Sequence, residues 1–457
     1  MHDDEGLAAN VVANVVANVV AIVVADGRAG AAGAARAAGA QGTAAPSAGA
    51  PCGVPEAARQ ARQGDACALA EALVASRHDT LATFAAYERA LPGLQVPRRA
   101  ELNPPLWELG HIGWFQEYWL GRNPLRAQGH RADPQAPRAV PLRPDADRLY
   151  NSSEVAHDTR WSLPLPDAGA TRGELAVQLE QSLACLAALG GTGDDDALYF
   201  YRLALLHEDM HHEAALYMAQ GLGFPIDDGG RWQPQPLPPA PGELRFDAAA
   251  WSLGNEQPAG FVFDNEFGRC VVNTGPFAID AQACRWADFV PFIEAGGYAK
   301  PSLWSATGWA WRQVQQAEAP RHVRRANGGW EQQRHGRWQA LNLHEAACHL
   351  TQHEAHAWCR WAGRRLPTEA EWERAALTRP GAFRWGDVWE WTASPFMPHE
   401  GFHPHPYRDY SAPWFDGRPV LRGASFMTQP RMSHPRYRNY FPPHRNDVPA
   451  GLRSCAL

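Results

Sequence analysis

No two cysteines in this 457-residue chain stand at a CxxC or other zinc-binding spacing; eight are scattered from Cys52 to Cys455. Scattered cysteines in a long chain without a secretory leader point to free thiols in a reducing cytosol, although one disulfide is compatible with the spacing. There is no surplus of positive charge. Lys and Arg total 42 against 49 Asp and Glu, a formal net charge of -7, so composition suggests no nucleic-acid partner. A basic leader is also missing. The chain opens on the acidic "MHDDEG", and the apolar run 7–25 is interrupted three times by Asn, although its length approaches a membrane span. Together with the Ala/Gly-rich sequence that follows, residues 1–64 read as a low-complexity, disordered leader rather than a membrane anchor or targeting peptide. A cytoplasmic protein without a membrane partner, monomeric or weakly oligomeric, is the expectation.

What is present is 45% hydrophobic and long enough for two or three domains. Helical spacing starts near Asp65 and stops before Pro92. A second helix follows from Pro104 or Pro105 and carries "LWELGHIGWFQEYWL". After a Pro/Arg-rich connection, 122–148, a third helix fits 171–189 and a fourth about 196–221, ending at Gly221 and Gly223. Four amphipathic helices with one long crossover describe a four-helix bundle over 65–224. Residues 225–245 are Pro-rich and read as a linker. From 246 to 457 short apolar runs alternate with Gly, Pro, Trp and Asn turns, with helices at 283–294 and 351–362: an α+β domain with many loops.

The fourth helix contains "HEDMHHE". His207/His211 and Glu208/His212 both stand four apart, one turn up the same face. Leu203, Leu206, Met210, Ala214 and Tyr217 form the inward stripe. His207 and His211 flank it, and His212 points roughly opposite, toward solvent. On the second helix His111 sits among Trp107, Leu109, Ile112, Trp114 and Phe115. Facing helices supply the ligands of bundle metal sites, and three imidazoles suit zinc, copper, iron or nickel alike. Spacing does not name the metal. Hydrogen-bonded core histidines are the competing reading.

"PPLWELGHIGWF" followed by "HEDMHHE" resembles the N-terminal, DinB-like bundle of the ergothioneine-pathway sulfoxide synthases. The second half is similar to their formylglycine-generating-enzyme-like domain, a C-type-lectin-like fold. The matching motifs are "FDNE" (263–266), "GGY" (296–298), "WAGRRLPTEAEWERAA" (361–376), "GDVWEWTASPF" (386–396), "VLRGASF" (420–426) and "GLRSC" (451–455). The resemblance covers about 65–457. It implies a non-heme Fe(2+) enzyme that uses O2 to join sulfur or selenium to C2 of the imidazole of hercynine, N-trimethylated histidine, as a sulfoxide or selenoxide. It also implies His111, His207 and His211 as iron ligands, with Glu208 and Glu213 as candidate acceptors behind them. "PYRDYSAPWF" matches the family's paired tyrosines, Tyr407 and Tyr410. Tyr407 would be the proton donor that steers toward C–S or C–Se bond formation and away from simple oxidation of the thiol. In "RNYFPPHRNDVPAGLR", Asn439 would contact hercynine.

Two positions depart from the family pattern. Phe441 stands where relatives that use γ-glutamylcysteine carry Asp, with Tyr440 in place of Trp. Met210 stands where many carry Gln. These departures look most like the selenoneine synthases and favour a selenosugar over γ-glutamylcysteine or cysteine as co-substrate. Tyr440, Phe441 and Trp414 could stack on a sugar or cage the trimethylammonium. Rival classes are a zinc-dependent thiol transferase and a non-catalytic binding protein. His399, His403, His405, His434 and His444 read as pocket or surface residues rather than ligands.

Overall fold

The computed structural model describes residues 53–255 and 259–457. The acidic opening, the apolar run and most of the leader lie outside the described residues. Helix α1, Glu56–Gln63, nevertheless falls inside the segment read as leader, so ordered structure begins ahead of Asp65. All seven described cysteines are free. Among the described residues no helix is long and apolar enough to cross a membrane.

The chain divides into two compact units. One holds 60–211 with 259–261; the other holds 53–59, 212–255 and 262–457. The first is helical: α2 (Ala66–Ala90), α3 (Pro105–Gln116), α4 (Ala146–Tyr150), α5 (Ala168–Ala187) and the first part of α6 (Asp195–Leu222). Three of the long helices start at a sequence signal that caps or removes orphan N–H groups. Asp65 caps α2 by accepting from Ala68 N, Asp167 caps α5 from Ala170 N, and Pro105 opens α3. The sequence reading put the domain boundary at 224, but the division falls within α6, between His211 and His212. The helix is continuous, and its last turns pack with residues of the second unit.

α3 packs on α5 and on α2. Two glycines permit the approach. A Cβ on Gly110 would lie 2.3 Å from the Tyr150 ring, and one on Gly113 would lie 2.2 Å from Gln178 Oε1. A π-turn, Glu117–Gly121, follows α3 directly, a form often found beside functional sites. α6 is buried nearly all round. Tyr201, Leu203, Leu205 and Leu206 are hidden, and so are the charged Arg202, Glu208 and Asp209. Those charges are satisfied. Arg77 Nε donates to Glu208 Oε1 at 2.8 Å, with its other nitrogens on Gln116 Oε1, the Leu175 carbonyl and Glu208 Oε2. Ser76 donates to Asp209 at 2.7 Å.

The second unit is built from short strands. β1 (Glu243–Phe246), β4 (Phe277–Asp280), β13 (Cys455–Ala456) and β8 (Arg364–Arg365) form one sheet in the order β1-β4-β13-β8. β11 (Asn439–Tyr440), β10 (Pro419–Gly423), β9 (Trp389–Pro395) and β12 (Ala450–Gly451) form another, with β12 parallel to β9. β2 (Ala249–Leu253) pairs with β3 (Cys270–Thr274), and β5 (Val323–Ala326), β6 (Gly329–Arg334) and β7 (Arg337–Ala340) make a meander. Helices α7 (Trp286–Glu294) and α9 (Gln352–Trp361) lie where expected. α8 (Ala306–Gln315) and α10 (Glu369–Thr378) were not anticipated. α10 carries its own signal, a reciprocal Thr368–Glu371 capping box within "PTEAE". Tryptophan dominates the core: Trp286, Trp372, Trp385, Trp389 and Trp391 are all at most 2% exposed.

Replacing Arg77 by Ala leaves Glu208 buried without its cation and is expected to cost about 3–5 kcal/mol of stability, read by denaturant unfolding. Pairing Arg77→Met with Glu208→Met should recover most of that loss. A single variant within about 1 kcal/mol of wild type would show that the pair contributes little.

Candidate metal centre and tyrosine loop

α3 and α6 bring three imidazoles together. One ring nitrogen from each of His111, His207 and His211 lies within 4.8 Å of the others. The ring centroids are 4.5 Å apart for His207–His211, 4.8 Å for His111–His211 and 5.1 Å for His111–His207. His111 and His207 are buried and His211 is partly exposed. The walls are aromatic: Trp107 stacks on His111 at 4.8 Å and Phe115 on His207 at 3.5 Å.

The protonation state follows from these surroundings. Burial first, and then the neighbouring His211, pull His111 down to about 3. Burial, His211 and His111 likewise push His207 well below the ordinary range. All three rings cannot be charged at such distances, and neutral imidazole is the form that ligates metals. The tautomers are set from behind. His111 Nδ1 lies 2.8 Å from the Tyr150 carbonyl, which can only accept, so Nδ1 carries the proton and Nε2 keeps a lone pair. His211 Nδ1 lies 2.5 Å from Glu108 Oε2. Burial opposes the charged Glu108 carboxylate, but His211, His111 and Arg160 outweigh it and hold its pKa below the ordinary value. A charged carboxylate accepts, so His211 also presents Nε2. Asn103 Nδ2 donates to the other oxygen, Glu108 Oε1, at 2.5 Å. Carbonyl and carboxylate partners behind ligating imidazoles are the pattern that orients them for metal binding. Three ring nitrogens within one ion's reach, two of them with their Nδ1 held from behind, fit a divalent transition metal.

Glu108 was not anticipated. Glu208 and Glu213 were the candidate acceptors, but Glu208 is taken by Arg77, and Glu213 accepts from Trp389 Nε1 at 2.7 Å and from Ser425 and Thr428, each at 2.8 Å. His212 also departs from expectation. It is 2% exposed rather than solvent-facing, with Nδ1 3.3 Å from Gln429 Nε2 and its ring edge-on to Trp232. The phase argument assumed one-sided burial, whereas the end of α6 is covered by residues of the second unit. Met210 is half-buried on the turn between His207 and His211.

In the second unit, Tyr407 precedes a single 3-10 turn, Arg408–Tyr410, its ring 6.2 Å from that of Tyr410. Tyr410 donates to Tyr437 Oη at 3.0 Å, and the Tyr440 hydroxyl donates to the Tyr410 carbonyl. Burial is the main reason that the phenols of Tyr410 and Tyr440 stay protonated far above the ordinary range. β11 pairs with β10 in the register Leu421↔Asn439 and Val420↔Tyr440, which anchors that segment. Arg438 braces it through Glu369, the Asn265 carbonyl and the Met397 carbonyl. Asn439 Oδ1 accepts from Tyr440 N at 2.9 Å. Phe441 lies under Arg445 at 4.9 Å, and Trp414, 40% exposed, lies under Arg418 at 4.7 Å. His399 and His405 are buried, whereas His403 and His444 are exposed.

Residues 231–386 match the sulfatase-modifying factor enzyme 1-like domain (FGE-sulfatase). Over 157 residues, 32% of this chain and 51% of the relative, the chain is 32% identical to a formylglycine-generating enzyme of Thermomonospora curvata. The longer likeness spans both units. The hercynine oxygenase of Mycolicibacterium smegmatis is 31% identical over 413 residues, 77% of this chain and 90% of that one. That of Mycobacterium tuberculosis is 31% identical over 414 residues, with the same two coverages. The chain therefore belongs to the hercynine oxygenases, the family of ergothioneine-pathway sulfoxide synthases.

Glu108→Gln keeps the shape of the residue behind His211 but removes its charge. It should weaken metal affinity about 10–100-fold, measured by anaerobic competition with a chelator. Affinity within about threefold of wild type would reduce Glu108 to a packing residue.

Proposed function

We propose that this protein is an iron(II)-dependent oxygenase that joins the sulfur of a thiol co-substrate to C2 of the hercynine imidazole. His111, His207 and His211 would hold the metal. The observation that carries this reading is the convergence of their ring nitrogens within 4.8 Å of one another in a chain of this family. Bound Fe(II) supplies a redox centre with open positions for a soft thiolate and O2. The overall balance is fixed by the substrates. Hercynine loses the C2 hydrogen, the thiol loses its hydrogen, one oxygen atom ends in the sulfoxide and the other leaves in water.

The chain's own groups bind, orient and handle protons. Glu108 and the Tyr150 carbonyl hold the imidazole protons on the far side of His211 and His111. Tyr407 is the proposed proton donor that favours C–S bond formation over oxidation of the thiol alone, a role open to a phenol. Asn439 is the proposed hercynine contact. Tyr410, Tyr440, Phe441, Trp414 and Met210 would shape the substrate sites. The helical unit is read here as a DinB-like bundle.

The sequence departures at Met210 and Phe441 had favoured a selenosugar. The hercynine oxygenase relatives favour the sulfur branch instead, and γ-glutamylcysteine or cysteine is the proposed donor. The surrounding of position 441 also still holds charged groups, because Arg445, which lies over the Phe441 ring, is paired with Asp447. Aerobic turnover with hercynine and Fe(II), read by mass spectrometry, decides between donors. The expected result is a hercynine sulfoxide from a thiol donor. Turnover confined to 1-seleno-glucose would move the enzyme to the selenium branch. Product formed by His211→Ala at the wild-type rate would contradict the catalytic role of the histidines.

A further inference from the structure

The segment 405–411 carries both loop tyrosines, and its only regular structure is the turn Arg408–Tyr410. Its geometry must therefore be fixed from outside. The Ser411 hydroxyl donates to Asp264 Oδ1, and Asn265 Nδ2 donates to Ser411 Oγ at 3.0 Å. The backbone amides of Asn265 and His405 also favour the charged form of the Asp264 carboxyl. One side chain thus bonds the chain four residues after Tyr407 and interacts electrostatically with the backbone two residues before it. Phe263, next to Asp264, stacks on the Tyr410 ring at 4.4 Å. Ser411 is fully buried, and Asp264 and Asn265 are 2% and 1% exposed. Arg438, through the Asn265 carbonyl, links this corner to the strand of Asn439 and Tyr440.

We infer that Asp264 and Ser411 clamp the segment 405–411 and act as positioning residues for Tyr407. This rests on the reading of Tyr407 as proton donor. The chemistry of the clamp supports it. Glu369, Glu373 and Glu390, buried in the same unit, each pair with arginine. Asp264 instead has a hydroxyl and backbone amides, and burial, the foremost cause, raises it to about 7. A carboxyl kept buried on such partners is a poor source of stability. It is well suited to fixing a turn from both sides, and a displacement of about 1 Å at a reacting group can lower a rate about 100-fold.

The test uses the full chain with Fe(II), hercynine and γ-glutamylcysteine in air. It reads the ratio of C–S product to oxidised thiol, with kcat and KM for hercynine and the thermal midpoint. Tyr407→Phe serves as the reference. Ser411→Ala and Asp264→Ala should shift the ratio toward oxidised thiol about tenfold, in the direction of Tyr407→Phe, with KM for hercynine changed less than about threefold. Asp264→Asn keeps an acceptor oxygen and should recover most of the ratio. If Asp264→Ala fails to fold, Ser411→Ala and Asp264→Asn decide. Variants that lose only thermal midpoint and keep the wild-type ratio overturn the clamp. An unchanged ratio in Tyr407→Phe overturns the reading of Tyr407 and the clamp with it. A changed ratio in Tyr407→Phe beside an unchanged one in Ser411→Ala overturns the clamp alone.

Discussion

Three imidazoles held within contact distance in an apolar helical interior cannot all be charged, and the helical unit is organised around that constraint. Neutral imidazole still carries one N–H that needs an acceptor. The Tyr150 carbonyl and Glu108 accept from His111 and His211. Tyr150 reaches that position because position 110 has no Cβ to block its ring. Glu108 stays ionised because His211, His111 and Arg160 offset its burial. The charges elsewhere on α6 are matched inside the same unit by Arg77 and Ser76. A lone change at any of these partners would leave a buried polar group unsatisfied, which costs about 1–3 kcal/mol and more if it is charged.

The second unit solves a different problem. Its strands are short, some of only two residues, and cannot hold long loops by ladder hydrogen bonds alone. Buried ion pairs take over. Arg422 spans Glu369 and Glu373, Arg438 forks onto Glu369, and Arg453 forks onto Glu390. Paired in this way, such groups confer geometric uniqueness more than net stability. The segments of Asn439 and of Tyr407 both hang from this framework, through Arg438 and Asn265.

Much of the helical unit was legible because its signals are local. The four long helices run at 66–90, 105–116, 168–187 and 195–222, close to where apolar period and Pro/Gly punctuation placed them. His207 and His211 were legible as an i, i+4 pair, and His111 as a histidine on a facing helix. Glu108 was not, because its partner His211 lies 103 residues away and no period encodes that pairing. His212 was misread because helical phase says which residues share a face, not how many faces are covered. In the second unit, α10 could have been read from the Thr368–Glu371 box, whereas the two-residue strands leave no periodic trace. The donor preference read from Met210 and Phe441 treated two side chains as if they set the charge of a surrounding that also contains the Arg445–Asp447 pair.

The central claim is that His111, His207 and His211 hold one iron ion through neutral imidazole nitrogens. X-ray absorption at the iron edge, on full-length protein purified anaerobically and loaded with Fe(II), tests it most directly. The account predicts one iron per chain with three imidazole ligands, and an imidazole count lowered by one in His111→Ala. An iron environment unchanged in His111→Ala, or tightly retained zinc supporting full activity without oxygen uptake, would contradict it.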